Sequence, residues 1–449
     1  MFKRLRALIF GSKAPEPSTG TATAARAADE PASFTPEALS HLLAVETVVD
    51  RNGRSAGKFI RLRQHGAHPH VSVHSLHEDA ILLESIHRLL APFCTSDNRI
   101  LLVELGAASL PHPIMDELAA CKAVLLLAPG GLKPDTLQRL QQLKTEGLRL
   151  ALCLPCSWPQ ELLALADGFA FSFDGHTPVE AAEFVETSRR ISPKASQIVI
   201  DIGWREEYAW CRSIGCHYAA GRLFRNPDWP DEPLDPGFVH VLDILNKVRQ
   251  EAEPAEIARA MKSDPLLSFR LLAQANSASQ GLAHKVESIE QAVVVVGRCR
   301  LYRWLVLLLY AKGKHPEEGL ILQEMAQVRA ELMVRLGARY LPGEDEGLYL
   351  TGLFSMLEPL MQRPLARILA DVDVQTQVRQ ALLENSGPYA PFLALAEAAE
   401  QAEPPSRDLL AACGIAPHDF NRCLLDTLID TESAEQETIE RVSTSPRCV

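Results

Sequence analysis

The side chains that could do metal-dependent chemistry are scattered along this chain. Two His and Asp pairs stand close in sequence, His240 with Asp243 and His418 with Asp419. A catalytic metal site needs imidazole nitrogens and carboxylate oxygens that converge on one cation and make a bound water nucleophilic. His418 follows Pro417 in a loop-like segment and has no second His near it in sequence. We expect both pairs to be solvated rather than to hold metal.

A cluster of histidines is the best alternative metal or pH-sensing site. Its members are His65, His68, His70, His74 and His77. If residues 70–74 form a strand, His70 and His74 share one face of it. Imidazoles suit zinc or nickel and titrate near neutral pH. Only Glu78 and Asp79 stand near as supporting carboxylates, so a solvated His-rich loop is the reading we favour.

Composition bounds the class of protein. The 449 residues suffice for two or three domains, and 47% apolar and 23% charged residues are ordinary for a globular protein. A net charge of −12 argues against a nucleic-acid binder. No apolar run approaches the roughly 20 residues of a membrane-spanning helix, although residues 1–13 could touch a membrane surface weakly. The ten scattered cysteines indicate reduced thiols in a cytoplasmic protein, including the C-x-x-C of Cys153 and Cys156.

The clearest local pattern lies between Lys262 and Gly297. Asp264 and Pro265 have the types expected at the N-cap and first position of a helix, which should end near Asn276. A second helix should start at Ser288, be buried because it is almost wholly apolar, and end at a left-handed Gly297. This pair of helices resembles the HDOD domain, an all-α regulatory relative of HD-type phosphohydrolases. The signature positions, structural or interacting, are Asp264, Pro265, Leu272, Asn276, Ser277, Ser288, Ile289, Ala292 and Gly297.

Before this module, short apolar runs alternate with helix-like segments. The runs are residues 45–50, 71–75, 100–105, 123–129, 149–155, 169–173, 197–203 and 219–224. Continuous apolar strands separated by helices predict a parallel sheet covered on both faces, and eight of them suggest a barrel. The segment 215–224 resembles the closing strand of EAL domains, barrels that hydrolyse cyclic di-GMP, and 49–54 resembles their opening hairpin.

The resemblance to EAL domains allows their motifs to be compared with this chain. Arg63, Glu104 and Gly221 are the residual EAL-like positions. Most other ligand and catalytic positions carry unsuitable residues: Phe59, Arg61, His74, Cys153, Leu154, Ala170, Ser172 and Ala220. Hydrolysis with two metals needs several carboxylates around the cations. Glu104, with Asp201 nearby, would not hold two divalent ions, so we expect no catalytic residues, no bound metal and no cofactor.

These observations predict a degenerate EAL-like α/β barrel of the TIM type followed by an all-α HDOD domain. The boundaries are a disordered linker at 1–36, the barrel at 37–225, the HDOD domain at 226–425 and a mobile tail at 426–449. The resemblance implies a bacterial, non-catalytic signalling regulator that binds other signalling proteins, with homo-oligomers as a further option. The loop from Asn276 to Ser288 is a natural contact region. Two alternatives stay open: a phosphodiesterase or metal phosphohydrolase, and a cyclic dinucleotide sensor without turnover.

Overall fold

The computed structural model describes residues 41–64, 76–94, 99–154, 157–226, 228–230, 232–276, 286–312, 316–400 and 407–444. The predicted linker at 1–36, the N-terminal segment considered for membrane contact, Ser277 and the histidines from His65 to His74 lie outside these ranges.

Eight strands close into a barrel, which confirms the predicted α/β barrel, although the strand predicted at residues 71–75 lies outside the described residues. They are β1 His41–Asp50, β2 Ser55–Gln64, β3 Ile100–Leu105, β4 Val124–Leu127, β5 Arg149–Cys153, β6 Gly168–Ser172, β7 Ser196–Ile202 and β8 Tyr218–Gly221. The sheet departs from the all-parallel expectation at β1, which is antiparallel to both β2 and β8. β2 was not among the predicted apolar runs because Lys58 and Arg61 interrupt its pattern; both charges have partners in the fold.

Helices cover the barrel between successive parallel strands. They are α1 Leu76–Cys94, α2 Ile114–Ala120, α3 Pro134–Thr145, α4 Gln160–Leu165, α5 Pro178–Ile191 and α6 Arg205–Ser213. A tight turn joins β1 to β2, where Asp50 accepts the backbone N–H groups of Asn52 and Arg54 at 2.8 and 2.9 Å. The hairpin therefore brings no helix of its own to cover its outer face.

The barrel interior is apolar up to one end. Phe59, Leu102, Leu126, Ile198 and Ile200 belong to a buried cluster that fills the space inside the strands. A filled interior leaves no pore through such a barrel. The charged side chains considered below stand at the carboxyl ends of the parallel strands, an end we call the barrel mouth.

The rest of the chain is helical. The helices are α7 Pro236–Arg249, α8 Pro254–Met261, α9 Pro265–Ala275, α10 Ile289–Val296, α11 Arg298–Tyr310, α12 Pro316–Gly337, α13 Asp345–Phe354, α14 Leu357–Met361, α15 Leu365–Ile368, α16 Thr376–Glu384, α17 Ala390–Ala399, α18 Arg407–Cys413 and α19 Pro417–Thr444. α19 packs on β1 and on α1, and α12 packs on α19. Asn421 of α19 accepts the backbone N–H of Leu43 at 2.9 Å. The helical region thus covers the hairpin face that lacks a barrel helix.

Buried ion pairs join the helical region to the barrel. Lys58 of β2 lies 2.5 Å from Glu324 of α12, and both side chains are almost fully buried. Arg99, just before β3, lies 4.0 Å from Glu324 and pairs with Glu432 of α19. The predicted mobile tail from residue 426 is therefore wrong for its first part, because α19 continues through it and Glu432 is buried against Arg99.

Two predictions from composition can be compared with the structure. Among the described helices, none is both long and apolar enough to cross a bilayer. Six described cysteines are free thiols, among them Cys153, Cys211 and Cys216. Cys121 is disulfide-bonded, which corrects the expectation of reduced thiols at that position.

Candidate functional site

A buried arginine stands in the barrel mouth. Arg61 projects from β2 and pairs with Glu46 of β1, and its guanidinium lies 2.7 Å from a carboxylate oxygen of Asp201 at the end of β7. Glu104 of β3 adds a third negative charge close enough to act on it. The guanidinium also lies 4.3 Å from the centre of the Phe59 ring. Three carboxylates from three strands thus surround one internal cation.

Burial makes the charges of this group interdependent. Arg61 and Glu46 each retain only 3% of their exposure to solvent. Burial alone would lower the pKa of Arg61, but the attraction of Glu46 and Asp201 outweighs it and raises that pKa above its ordinary value. The guanidinium is therefore charged at every pH at which the protein is folded. Its loss would leave buried carboxylates without their compensating cation.

The backbone around Asp201 is shaped to place this carboxylate. The ladder between β7 and β8 is irregular between Val199 and Ile202, and Asp201 has a φ of 57°. A non-glycine residue in this region costs energy and persists only where its surroundings enforce it. Asp201 is held on its other oxygen by the hydroxyl of Ser172, which donates at 2.8 Å.

Gly221 fits this narrow corner because it has no side chain. Its φ is 130°, and a Cβ added there would lie 2.4 Å from the carbonyl oxygen of Ile202. Any other residue would collide with the backbone of β7. The EAL-like position predicted at Gly221 therefore has a steric reason of its own in this barrel.

The chemistry available to the barrel mouth depends on which charged group occupies its centre. A divalent cation would need oxygen ligands that converge on one point. Here the oxygens of Glu46 and Asp201 already converge on a guanidinium. In the part of the chain that the structure describes, no three His, Cys, Asp or Glu side chains are grouped to hold a metal ion. The mouth as folded is an ion-paired cluster.

The residues predicted from EAL motifs are placed around this cluster. Glu104, predicted as a residual EAL-like carboxylate, is buried near Arg61. Arg63 lies in β2 opposite Leu42, and its side chain falls outside the described atoms. The motif comparison does not identify Arg61 and Glu46 as site residues. A signal was present, since both are charged residues within otherwise buried strands.

The helices of the second pattern begin as predicted. Asp264 caps α9 by accepting the backbone N–H of Leu267 at 3.0 Å, and Pro265 is the first helical residue. Lys312 donates to the other carboxylate oxygen at 3.1 Å. The N–H of Leu267, with Lys312 in support, lowers the pKa of Asp264. The Asp-Pro pair therefore ties the start of α9 to the region after α11.

Asn276 connects the two ends of the segment between α9 and α10. Its amide nitrogen donates to the carbonyl oxygens of Leu272 and Val286, each at 2.9 Å, and its amide oxygen accepts the N–H of Val286 at 2.7 Å. One side chain thus satisfies both backbone groups of Val286. Most of the loop itself, including Ser277, lies outside the described residues.

We expect Asn276→Ala to destabilise the helical region by about 1–3 kcal/mol, because it leaves both backbone groups of Val286 without their partner. The measurement is the urea midpoint followed by helical circular dichroism. Asn246 is a suitable comparison: it makes a similar double contact with the backbone of Asp371 and Asp373, but through hydrogen bonds that are exposed to solvent. Equal midpoints for Asn276→Ala and the wild type would contradict this role.

The second helix of the pattern is only partly as predicted. Ser288 accepts the backbone N–H of Gln291 at 3.1 Å, and Ile289 and Ala292 are buried. Gly297 ends α10 with a φ of 77°, but its ψ of 155° places it outside the left-handed helical region, and α11 starts at the next residue. Val294 is 62% exposed. The expectation of an entirely buried helix is therefore wrong for one face.

The His and Asp pairs do not form metal sites with each other. His240 contacts the hydroxyl of Ser263 at 3.1 Å, whereas Asp243 lies 3.6 Å from Lys247. His418 and Asp419 are 3.6 Å apart on α19, where Asp419 also pairs with Arg422. Of the histidine cluster, only His77 is described, on α1.

Comparison with known proteins finds two curated relatives. "Uncharacterized protein YuxH" of Bacillus subtilis is 26% identical over 202 residues, which cover 44% of this chain and 49% of that protein. The chain thus spans about half the length of that relative. "Cyclic di-GMP phosphodiesterase CdgJ" of Vibrio cholerae is 24% identical over 318 residues, covering 68% of this chain and 69% of that protein.

Solved structures similar to the chain are EAL proteins and cyclic di-GMP complexes. The match with BlrP1 of Klebsiella pneumoniae, in a calcium and cyclic di-GMP complex, covers 42% of this chain and 56% of that chain. The sequence identity is 18% and the TM-score is 0.33. The EAL protein YkuI of Bacillus subtilis covers 57% and 73% at 12% identity, with a TM-score of 0.33.

The helical region has a family match of its own. The model of the HDOD domain matches residues 234–361. This range begins just before α7 and ends with α14, so it contains the capped helices α9 and α10. Residues 234–361 therefore form an HDOD domain, which this chain carries behind an eight-stranded α/β barrel.

Proposed function

We propose that the chain is a non-hydrolytic regulator in cyclic di-GMP signalling, and that it acts by binding other signalling proteins through its HDOD domain. The signalling context is supported by the relative named as a cyclic di-GMP phosphodiesterase and by the HDOD match. The absence of hydrolysis is supported by the barrel mouth.

The observation that carries the proposal is the position of Arg61. Hydrolysis of a phosphodiester by metal ions requires cations that activate water and neutralise charge on the phosphate. The carboxylates Glu46 and Asp201, which face the barrel mouth, are instead paired with the Arg61 guanidinium. A guanidinium cannot lower the pKa of a bound water as a metal ion does. We therefore expect the mouth not to generate the hydroxide that hydrolysis needs.

The HDOD domain offers a surface suited to protein contacts. Leu266 and Phe269 lie one turn apart on α9 and are 57% and 69% exposed. Large apolar side chains exposed side by side are typical of interaction sites. Phe269 is the stronger anchor, because aromatic side chains contribute most to protein interfaces.

The experiment compares a variant of the barrel with a variant of the α9 surface in a strain that lacks the protein. Complementation with Glu104→Gln tests the barrel, and Leu266→Asp combined with Phe269→Asp tests the α9 surface. We expect Glu104→Gln to restore cyclic di-GMP-dependent behaviour and the α9 double variant to fail, although it should fold because both residues are exposed. Normal circular dichroism of the α9 variant is the control.

Purified protein provides the second arm of this test. With Mg²⁺ or Mn²⁺ present, we expect no conversion of cyclic di-GMP to a linear product. Product that disappears in Glu104→Gln would overturn the proposal and restore the phosphodiesterase alternative. Complementation by the α9 double variant would instead remove the proposed interaction surface.

A further inference from the structure

Two cysteines stand on either side of the turn that ends α6. Cys211 lies in the last turn of the helix, and Cys216 lies two residues before β8. The backbone N–H of Cys216 donates to the carbonyl oxygen of Cys211, and that of Gly215 to the carbonyl oxygen of Arg212, each at 3.1 Å. Gly215 has a φ of 83°. This is the Schellman pattern of a helix end, in which the side chains before and after the turn contact each other.

The two side chains meet in the interior beneath this turn. Cys211 is 0% exposed and Cys216 is 3% exposed. Both are free thiols, and they form a hydrogen bond with each other. A disulfide requires Cα atoms about 4–7 Å apart and Cβ atoms that point toward each other. The backbone hydrogen bond and the thiol contact hold the pair in this arrangement, so a bond between the sulfurs needs side-chain rotation rather than a rearranged backbone.

The surroundings make the two thiols unequal. The hydrogen bond between them raises the pKa of Cys211, as burial also does, and lowers the pKa of Cys216 although burial acts against it. The Arg189 guanidinium of α5 adds to the lowering at Cys216, and it donates to the carbonyl oxygen of Ile214 within the turn at 3.3 Å. The thiolate is the reactive form of cysteine. Cys216 is therefore the better attacking sulfur, and Cys211 stands beside it to react second.

A solvent-facing turn covers the pair. Arg212 and Ser213 are exposed, and Ile214 and Gly215 are partly exposed. The sulfurs thus lie directly beneath residues that face water, where a small neutral oxidant such as hydrogen peroxide enters more easily than a bulky reagent. Cys299 of α11 is exposed and serves as the reference for a thiol that is open to every reagent.

We propose that Cys211 and Cys216 are a redox-sensitive modification site, which hydrogen peroxide converts reversibly into a disulfide. The Cys216 thiolate attacks one oxygen of the peroxide: a sulfur–oxygen bond forms, the oxygen–oxygen bond breaks, and the departing hydroxide takes up the thiol proton to become water. The Cys211 sulfur then attacks the resulting sulfenic acid and displaces its oxygen as a second water. Two thiols and one peroxide give one disulfide and two waters, with the sulfurs oxidised by two electrons in total. A dithiol reverses the reaction by thiol–disulfide exchange.

This site is separate from both sites of the proposed function. β8 runs from Tyr218 to the barrel mouth at Gly221, so Cys216 stands at the opposite end of the barrel, and α9 belongs to the HDOD domain. The disulfide would enclose only the four residues between the cysteines. A bridge across so short a loop constrains the unfolded chain less than a long-range bridge does, which suits a bond that is made and reduced in turn.

Trypsin makes the test direct, because Arg212 separates the two cysteines. Cleavage after Arg205, Arg212 and Arg222 yields the peptides 206–212 and 213–222, each with one cysteine. Full-length folded protein is treated with hydrogen peroxide or with dithiothreitol, alkylated in denaturant, digested and measured by mass spectrometry. We expect peroxide to remove the two alkylated peptides and to produce one linked peptide, lighter by two hydrogen atoms than the sum of the two unmodified peptides. Dithiothreitol added after peroxide should restore the separate peptides.

Single variants assign the two sulfurs. Cys211→Ser leaves Cys216 without a second thiol, so dimedone, which traps sulfenic acids, should label the peptide 213–222 after peroxide. Cys216→Ser should leave the peptide 206–212 without this label. Cys299→Ser is the control and should form the linked peptide as the wild type does.

The proposal is overturned if peroxide oxidises Cys299 in the folded wild type and yields no linked peptide. It is also overturned if the link forms only in urea, where cysteines from any part of the chain can meet. Neither result bears on the proposed protein interaction, which the complementation experiment tests at α9.

Discussion

Replacing Arg61 with Ala should produce the largest loss of stability in the barrel, about 3–5 kcal/mol at neutral pH. Removing one partner of a buried ion pair leaves an uncompensated charge in a place largely shielded from water. Arg61 leaves two such partners, Glu46 and Asp201, and the nearby charge of Glu104. The measurement is the urea midpoint, with Arg190→Ala as an exposed control that we expect to stay within about 0.5 kcal/mol of the wild type.

The pH dependence of this variant separates charge from packing. Without the guanidinium, three buried carboxylates face one another without a cation, and added protons relieve their mutual repulsion. The loss of stability caused by Arg61→Ala should therefore be smaller at pH 5 than at pH 8. A deficit independent of pH would show that Arg61 serves mainly to fill space.

The same variant tests whether the mouth can accept a divalent cation. If Mg²⁺ or Mn²⁺ restored the stability of Arg61→Ala, the carboxylates would be able to converge on a metal once the guanidinium is removed. We expect little restoration, because no metal-binding group is formed by the described carboxylates around Arg61. Restored stability would show that the carboxylates can still bind a divalent cation once the guanidinium is removed. No restoration would show that they do not bind one even then.

Much of the fold could be predicted from the sequence, because each of its signals is local. The apolar runs that became β3 to β7 are continuous and buried on both sides. The caps of α9 and α10 are decided within four residues. β2 could not be found by this rule, since Lys58 and Arg61 lose their cost only when partners from β1, β7 and α12 arrive. Long-range pairing determines such positions.

The site was less predictable for the same reason. Comparison with the motifs of EAL domains directed attention to the positions where ligands are missing, and so to Glu104. The group that fills the space, Arg61 with Glu46, comes from the antiparallel hairpin and is defined by its register. The extension of α19 to Thr444 was likewise missed, because the polar sequence after Thr431 gives no sign that Glu432 meets Arg99.

The second large effect is expected at the contact between the barrel and the HDOD domain. Glu324 of α12 is 8% exposed and lies between Lys58 and Arg99. Glu324→Gln should cost about 3 kcal/mol at pH 7, because it leaves Lys58 buried without its counter-charge. Glu317→Gln is a matched control on the same helix. Glu317 lies 3.4 Å from Arg54, and both side chains are exposed. This pair should contribute less than about 1 kcal/mol to the free energy of unfolding.

The pH dependence at Glu324 has a different cause from that at Arg61. Burial alone would raise the pKa of Glu324, but Lys58 and Arg99 outweigh it and hold that pKa below its ordinary value. Such a group stabilises the fold above its unfolded pKa, about 4.3, and this stabilisation disappears as pH falls through the folded pKa. The difference in the free energy of unfolding between Glu324→Gln and the wild type should therefore become smaller as pH falls below about 4.

Calorimetry of Glu324→Gln also shows whether the pair couples the two domains. With the pair intact, barrel and HDOD domain share one buried core and should melt together. Weakening their contact should separate the transition into two, with the less stable domain unfolding first. A single transition lowered uniformly would mean that the apolar contact of α19 with β1 couples the domains without help from charge.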